Sequence, residues 1–129
     1  IRDLVRSRGL GDVYKRQLLL LERHHCNLCD ISTTSVLRAS HIKEWAESSK
    51  EERIDANNGL LLCANHDALF DRHLISFEPD TGNICISASI DDDQRNALNL
   101  SKSARISMNE RMKAYMQIHY KKFIEKENQ

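Results

Sequence analysis

Apolar residues occur along the chain in short runs that predict strands and in spaced patterns that predict helices. Two runs rich in apolar side chains predict strands that pair as a hairpin with a long connection, because an Asn-Asn-Gly turn precedes the second run. Alternating apolar residues beside a Pro-Asp-Thr-Gly-Asn turn predict a second hairpin. The predicted strands are 36–42 and 60–63 in the first hairpin, and 74–78 and 84–90 in the second.

Helices are predicted from spacing and from residues suited to a helix start. From Met108 onward apolar side chains recur at offsets of 4, 7, 8, 11 and 15, which places them on one face of an amphipathic helix whose other face is basic. Asn65 can cap a helix over 66–72, and Asp67 in its first turn suits the helix dipole. The other predictions are a helix over 14–24, a loop or short helix over 43–55, a short helix capped by 91–93, and the C-terminal helix over about 108–126.

The chain of 129 residues has the length of one compact domain, and 40% hydrophobic with 29% charged residues is typical of globular proteins. Residues 1–17 show no sustained period, so we predict a non-native or disordered leader followed by one domain over 18–129. Apolar runs such as that at 18–21 are far shorter than the roughly 18 residues that a membrane helix needs. No signal sequence is visible, which predicts a cytoplasmic protein.

The formal net charge is zero, so the chain as a whole lacks the basic character of a strong nucleic-acid binder. Both ends, 1–23 and 100–129, are basic, whereas the middle carries six lysines and arginines against thirteen acidic residues. An acidic middle is unusual for a phosphate-binding surface unless some of its carboxylates and cysteines hold cations. The charge pattern therefore raises the question of a metal site.

Two pairs of residues have the spacing that lets both members reach one tetrahedral ion: Cys26-x-x-Cys29 and Cys63-x-x-His66, with 33 residues between the pairs. Together they predict a structural Cys3His zinc site. A redox disulfide and the absence of any site remain the alternatives. Cys85 lies between two isoleucines in a predicted strand, so we assign it to the core.

Three further positions suit hydrolytic chemistry. His41, at the end of the first predicted strand, can accept a proton near neutral pH, although a histidine there can equally be structural. Asp67 and Asp71 are spaced i, i+4 and share a helix face, where two carboxylates suit Mg²⁺ but also suit a solvated surface. Asn58 precedes Gly59, so it either positions the His41 loop or is simply a turn residue.

The order of these residues carries more information than any one of them. The chain presents Cys26-x-x-Cys29, then Ser40-His41-Ile42-Lys43-x-Trp45, then Asn58-Gly59-Leu60-Leu61-Leu62-Cys63-x-x-His66-Asp67-x-x-Phe70-Asp71-Arg72. This arrangement resembles the HNH endonuclease family, in its branch found in restriction-type proteins. The resemblance covers roughly 26–77.

The resemblance implies an α+β fold: a ββα-metal module, or His-Me finger, with a zinc knuckle, an extra β-hairpin and the C-terminal amphipathic helix. It implies hydrolysis of DNA phosphodiesters, in which His41 activates water, Asn58 orients the histidine-bearing loop and Asp67 stands where the family's last histidine binds metal. Asp71 is a second possible ligand of the catalytic Mg²⁺ or Mn²⁺. Ser40 stands where many members carry a metal-binding Asp or His, which predicts a weaker or harder metal site.

The expected partners are DNA, a recognition domain missing from this fragment of a restriction or mobile-element protein, and a second copy of the chain. Candidate phosphate contacts are Lys43, Arg53 and Arg72, with a purely solvated role as the alternative. The basic face of the C-terminal helix either docks on the DNA backbone or belongs to a packing helix. Two other functions remain open: a non-catalytic zinc-stabilised module that binds nucleic acid or protein, and a zinc hydrolase acting on a small molecule.

Overall fold

The structure is a computed structural model that describes Leu20 and residues 22–129. The predicted leader, 1–17, lies outside the described residues, as does most of the helix predicted over 14–24. The described part contains four strands and four α-helices, which are named here in chain order. In that part, no helix combines the length and the apolar character that crossing a membrane requires.

The first hairpin consists of β1, Leu37–Ser40, and β2, Leu60–Cys63, which pair antiparallel with Ser40 opposite Leu60. β2 is buried at every position, so its apolar run forms the centre of the core. The predicted strand over 36–42 is longer than β1, because the chain leaves the sheet after Ser40 to begin the connection.

The connection between β1 and β2 carries the short helix α1, Lys50–Ile54. The structure thus contains both of the forms predicted for 43–55, a loop followed by a helix. Ser49 caps α1: its side chain accepts from the Glu52 N–H, and the Glu52 side chain accepts from the Ser49 N–H. This capping box explains why so short and polar a segment is helical.

Helix α2, Ala64–Asp71, follows β2 without any intervening loop, and its buried face consists of His66, Leu69 and Phe70. The predicted β, β, α order is confirmed. The prediction that Asn65 caps this helix is wrong. Cys63 holds the cap position and makes no side-chain cap bond, and Asn65 lies exposed in the first turn. The helix begins earlier than predicted because the strand runs directly into it.

The second hairpin consists of β3, Ile75–Phe77, and β4, Ile84–Ile86. Gly82, in the turn between these two strands, has a φ of 77°. A Cβ there would lie 2.0 Å from the Ile106 carbonyl oxygen, so only glycine fits. The strand predicted over 84–90 ends at Ile86, because the chain forms a turn after it, in which the Ile90 N–H donates to the Ser87 carbonyl oxygen. Cys85, expected in the core, is only partly buried.

Two helices complete the described fold: α3, Asp92–Ala97, capped by Asp91 as predicted, and α4, Glu110–Glu127, capped by Asn109. Helix α4 packs on β3, and its buried residues are Met112, Met116, His119 and Phe123, all on the predicted apolar face. The α+β class, the extra hairpin and the C-terminal amphipathic helix are therefore confirmed.

His119 is a buried histidine held in its neutral form. Its Nε2–H donates to the Phe70 carbonyl oxygen at 2.7 Å, and its Nδ1 accepts from the Ser76 hydroxyl at 2.8 Å. Its ring is stacked between Phe70 and His73, with centroids 3.8 and 4.3 Å away. Burial, with smaller contributions from nearby His73 and Lys122, lowers the pKa of His119 to about 3 against the opposing effect of the Phe70 carbonyl.

Replacing His119 by glutamine is expected to reduce the acid sensitivity of the fold. Because the unfolded chain binds a proton near the ordinary pKa of 6.5 and the native chain does not, stability is complete above that pH and falls towards pH 3. Below pH 6.5 the wild-type free energy of unfolding should fall by about 1.4 kcal/mol per pH unit more than that of the variant, which gives a difference of about 1.4 kcal/mol between pH 7.5 and 5.5. Urea unfolding of both proteins at pH 7.5 and 5.5 measures this difference. Any effect of acid on a metal site is the same in both proteins and cancels when they are compared. Equal pH dependence would contradict the prediction.

Candidate functional site

The four predicted zinc ligands meet where the 26–29 knuckle faces the start of α2. The ligand atoms of Cys26, Cys29, Cys63 and His66 all lie within 4.8 Å of one another, and three of these residues are buried. No disulfide joins the cysteines. Within Leu20 and 22–129, this is the one cluster of three or more histidine, cysteine or acidic side chains with such geometry.

A backbone carbonyl from outside the knuckle orients the histidine of this cluster. His66 Nε2 lies 2.8 Å from the Leu98 carbonyl oxygen, just after α3, and must therefore donate its proton there. The lone pair is then on Nδ1, the nitrogen that lies 3.4 Å from Cys26 Sγ. A second hydrogen bond of this kind commonly fixes the tautomer of a metal-binding histidine.

The three thiols of the cluster lie close to one another. Burial, together with neighbouring Cys26 and Cys63, raises the pKa of Cys29 to about 12 against the opposing effect of the Ile31 backbone. Three thiols and one correctly oriented imidazole nitrogen form a donor set that suits Zn²⁺. Four protein ligands complete a tetrahedral shell and leave no position for substrate, so the site suits a structural ion rather than the zinc of a small-molecule hydrolase.

His41 begins the connection after β1 and is partly buried. Its Nε2 lies 3.0 Å from the Arg53 carbonyl oxygen and therefore donates to it, which makes Nδ1 the basic nitrogen. The edge of the Trp45 ring lies against the imidazole, with centroids 5.5 Å apart. The ring is thus oriented by two contacts within its own loop, as a proton acceptor requires.

Asn58 is fully buried just before β2, and its amide links two parts of the β1–β2 connection. Its Oδ1 accepts from the Lys43 N–H at 2.8 Å, and its Nδ2 donates to the Glu52 carbonyl oxygen at 3.0 Å. Lys43 lies two residues after His41, and Glu52 precedes the residue whose carbonyl holds the imidazole. The amide therefore braces both sides of the histidine, which is more than a turn residue does.

The carboxylate predicted to hold a catalytic ion lies beside the end of β1. The Ser40 hydroxyl donates to Asp67 Oδ1, so the residue before His41 is tied directly to α2. Asp67 is partly buried, whereas Asp71 is exposed at the end of the helix. Among the residues described, His41, Asp67 and Asp71 do not form a second cluster of the kind that the cysteines form.

The three predicted phosphate contacts lie in different surroundings. Lys43 Nζ pairs with both carboxylate oxygens of Glu52, at 2.9 and 3.0 Å. The Arg53 guanidinium lies over the Trp45 ring, 4.4 Å from its centroid, and its Nε donates to the Trp45 carbonyl oxygen. Arg72 is exposed after the last turn of α2. Arg72 is therefore the most accessible of the three cations.

Sequence reasoning missed two contributors to the site. The Leu98 carbonyl left no signal, because a backbone oxygen does not depend on residue type. Tyr115 was placed on the apolar face of α4, yet its hydroxyl donates to Asp55 beside the Asn58 turn. The polar hydroxyl of a tyrosine on an apolar helix face is the feature of the sequence that indicates such a hydrogen bond.

Comparison with known proteins adds independent support to this geometry. Residues 26–78 match the family described as HNH endonuclease, a span that includes every candidate ligand and catalytic residue named above. No curated protein matches the chain. The matched segment begins at the first cysteine of the metal cluster and ends just after β3, so it coincides with the ββα unit and its knuckle. This chain is therefore similar to the HNH endonuclease family over residues 26–78.

Proposed function

We propose that this chain is a metal-dependent endonuclease that hydrolyses DNA phosphodiester bonds, with His41 as its general base. The observation that carries the proposal is the bond from His41 Nε2 to the Arg53 carbonyl oxygen, beside the link between Ser40 and Asp67. This bond places the imidazole proton on Nε2, so Nδ1 carries the lone pair that a general base needs. The similarity of 26–78 to the HNH endonuclease family supports the same reaction.

In this proposal each residue has a separate task. His41 Nδ1 takes the proton of the attacking water, and Asn58 keeps the histidine-bearing segment in place through Lys43 and Glu52. Asp67 would hold Mg²⁺ or Mn²⁺, with Asp71 as a second ligand. When bound, the divalent ion supplies charge stabilisation at the phosphate and at the leaving oxygen.

A single well-placed carboxylate fits this role. Mg²⁺ is usually held by one or two carboxylates, together with water and the phosphates of the substrate, rather than by a complete cage of protein ligands. The Cys3His cluster would hold a separate, structural Zn²⁺. We further propose that Lys43, Arg53 and Arg72 contact DNA phosphates, and that a recognition domain of a larger restriction or mobile-element protein, or a second copy of this chain, completes the active assembly.

The test is nicking of supercoiled plasmid by zinc-loaded protein with Mg²⁺, with Mn²⁺, and after removal of both. Nicking that requires Mg²⁺ or Mn²⁺ would support the proposal. Absence of nicking with either ion would favour a non-catalytic zinc-stabilised module that binds nucleic acid or protein. One observation favours that alternative: Ser40 is a poor metal ligand, and its hydroxyl already bonds Asp67.

The two carboxylates of α2 are expected to differ in their effect on cleavage. Asp67→Asn should lower nicking at least about tenfold and raise the Mg²⁺ concentration required, because this side chain accepts from Ser40, the residue before His41. Asp71→Asn, on an exposed turn of the same helix, should change the rate less. Parallel purification of the two variants controls for contaminating nuclease. Equal rates for wild type and Asp67→Asn would remove Asp67 from the site.

A further inference from the structure

Helix α4, which lies outside the segment matched to the HNH family, contacts the connection between β1 and β2. Near its N-terminus two side chains converge on a single oxygen: Arg111 NH2 and the Tyr115 hydroxyl each lie 2.9 Å from Asp55 Oδ2. Farther along, Lys122 contacts Glu44 at 3.5 Å and also pairs with Glu47. The connection that carries His41 is therefore held by α4 at two places.

Asp55 connects this contact to the backbone around Asn58. Its Oδ1 accepts from the Asn57 N–H at 2.9 Å, and its carbonyl oxygen accepts from the Asn58 N–H at 3.0 Å. One carboxylate thus bonds α4 through one oxygen and shapes the turn before β2 through the other. A second link joins the same turn to α4, from Asn109 Nδ2 to Asn57 Oδ1 at 2.7 Å.

The ionisation of both partners favours this contact. Burial raises the pKa of Asp55, but the Asn57 N–H, the Tyr115 hydroxyl and Arg111 together outweigh it and leave the pKa below its usual value. Burial, together with the neighbouring Asp55 carboxylate, raises the pKa of Tyr115 to about 12, so its hydroxyl keeps the proton that it donates. A charged acceptor and a protonated donor make the stronger type of hydrogen bond.

The two places where α4 contacts the β1–β2 connection differ in the strength of their interactions. The side chains of Glu44 and Glu47 are 40 and 45% exposed, and exposed ion pairs hold a segment only weakly. The Asp55 side chain is 11% exposed and its bond to Tyr115 is partly buried, although Arg111 itself is 71% exposed. The positioning effect of α4 is therefore concentrated at Asp55.

We propose that Asp55, Arg111 and Tyr115 are positioning residues, through which α4 sets the placement of Asn58 and, through its bonds to Lys43 and Glu52, that of His41. The effect on cleavage rests on the proposed function, whereas the effect on the His41 segment does not. The helix is thus part of the framework that positions the catalytic histidine.

The experiment uses Tyr115→Phe, which removes one hydroxyl and keeps the ring. Trp45, the single tryptophan of the chain, lies in the β1–β2 connection against both His41 and Arg53, so its fluorescence reports on that segment. Acrylamide quenching of Trp45 should increase in the variant. The kcat for plasmid nicking should fall by about tenfold with little change in KM, because small displacements of a catalytic group reduce the rate more than binding.

Gln117→Ala is the matched control, since Gln117 is an uncharged, exposed residue of the same helix. Quenching and kcat that change in Tyr115→Phe and not in Gln117→Ala support the proposal. Identical quenching in the two variants, measured well below their melting temperatures, would overturn it, even if Tyr115→Phe melts earlier. If the wild type does not nick DNA, the proposed function fails and the quenching comparison still decides the positioning role.

Discussion

Replacing Cys63 by serine is expected to abolish zinc binding and to unfold the protein at ordinary temperatures. Structural zinc contributes about 10–16 kcal/mol of apparent binding free energy in small domains. The net stability of a folded domain is only about 5–15 kcal/mol, so loss of the ion exceeds what the remaining fold can supply. Cys63 also lies at the junction of β2 and α2, where a displaced ligand disturbs both elements.

Metal content and far-ultraviolet circular dichroism measure this result. Cys85→Ser is the matched control, because Cys85 is also a free cysteine but lies on β4, away from the cluster. That variant should bind one zinc and keep its spectrum. A folded Cys63→Ser protein that still binds zinc with wild-type affinity would show that the four residues do not form a common site.

His41→Ala is expected to lower the rate of plasmid nicking by about 10²–10⁴, the range that a positioned general base contributes. The structure supports the large end of the effect, since the imidazole is oriented by the Arg53 carbonyl and by the Trp45 ring before any substrate binds. Folding should change little, because His41 is partly exposed in a loop. Initial rates at saturating Mg²⁺ give the comparison.

Lys102→Ala serves as the control, since Lys102 is exposed on the turn after α3 and distant in sequence from the site. It should nick at the wild-type rate. Zinc content and melting temperature of all three proteins show whether a lost rate reflects chemistry rather than unfolding. A His41→Ala rate within a few-fold of wild type would assign proton transfer to another group.

Local features of the fold were predictable from the sequence. The Asn-Asn-Gly turn, the apolar run of β2 and the two-residue gaps within each ligand pair act over a few positions, and the structure has the predicted hairpin and cluster there. The periodic apolar face of α4 likewise identified its buried side, although its bounds differ by one or two residues from those predicted. Spacing along one element is sufficient for such features.

Features that depend on distant contacts were not predictable. The Asp55–Tyr115 bond joins residues sixty positions apart, and the His66–Leu98 bond uses a backbone oxygen that any residue type would provide. The early start of α2 at Ala64 and the end of β4 at Ile86 depend on how neighbouring elements meet. Such outcomes are decided by packing rather than by local pattern.

The hydrogen bond from His66 to the Leu98 carbonyl links the metal cluster to a residue outside the segment that matches the family. A truncated polypeptide ending at residue 78 would keep all four ligands and the whole family signature, yet it would lack the acceptor that selects the imidazole tautomer. Its metal would then bind to a ring that is free to rotate. The segment that matches the HNH endonuclease family, 26–78, is therefore shorter than the segment needed to hold the metal-binding histidine in a fixed orientation.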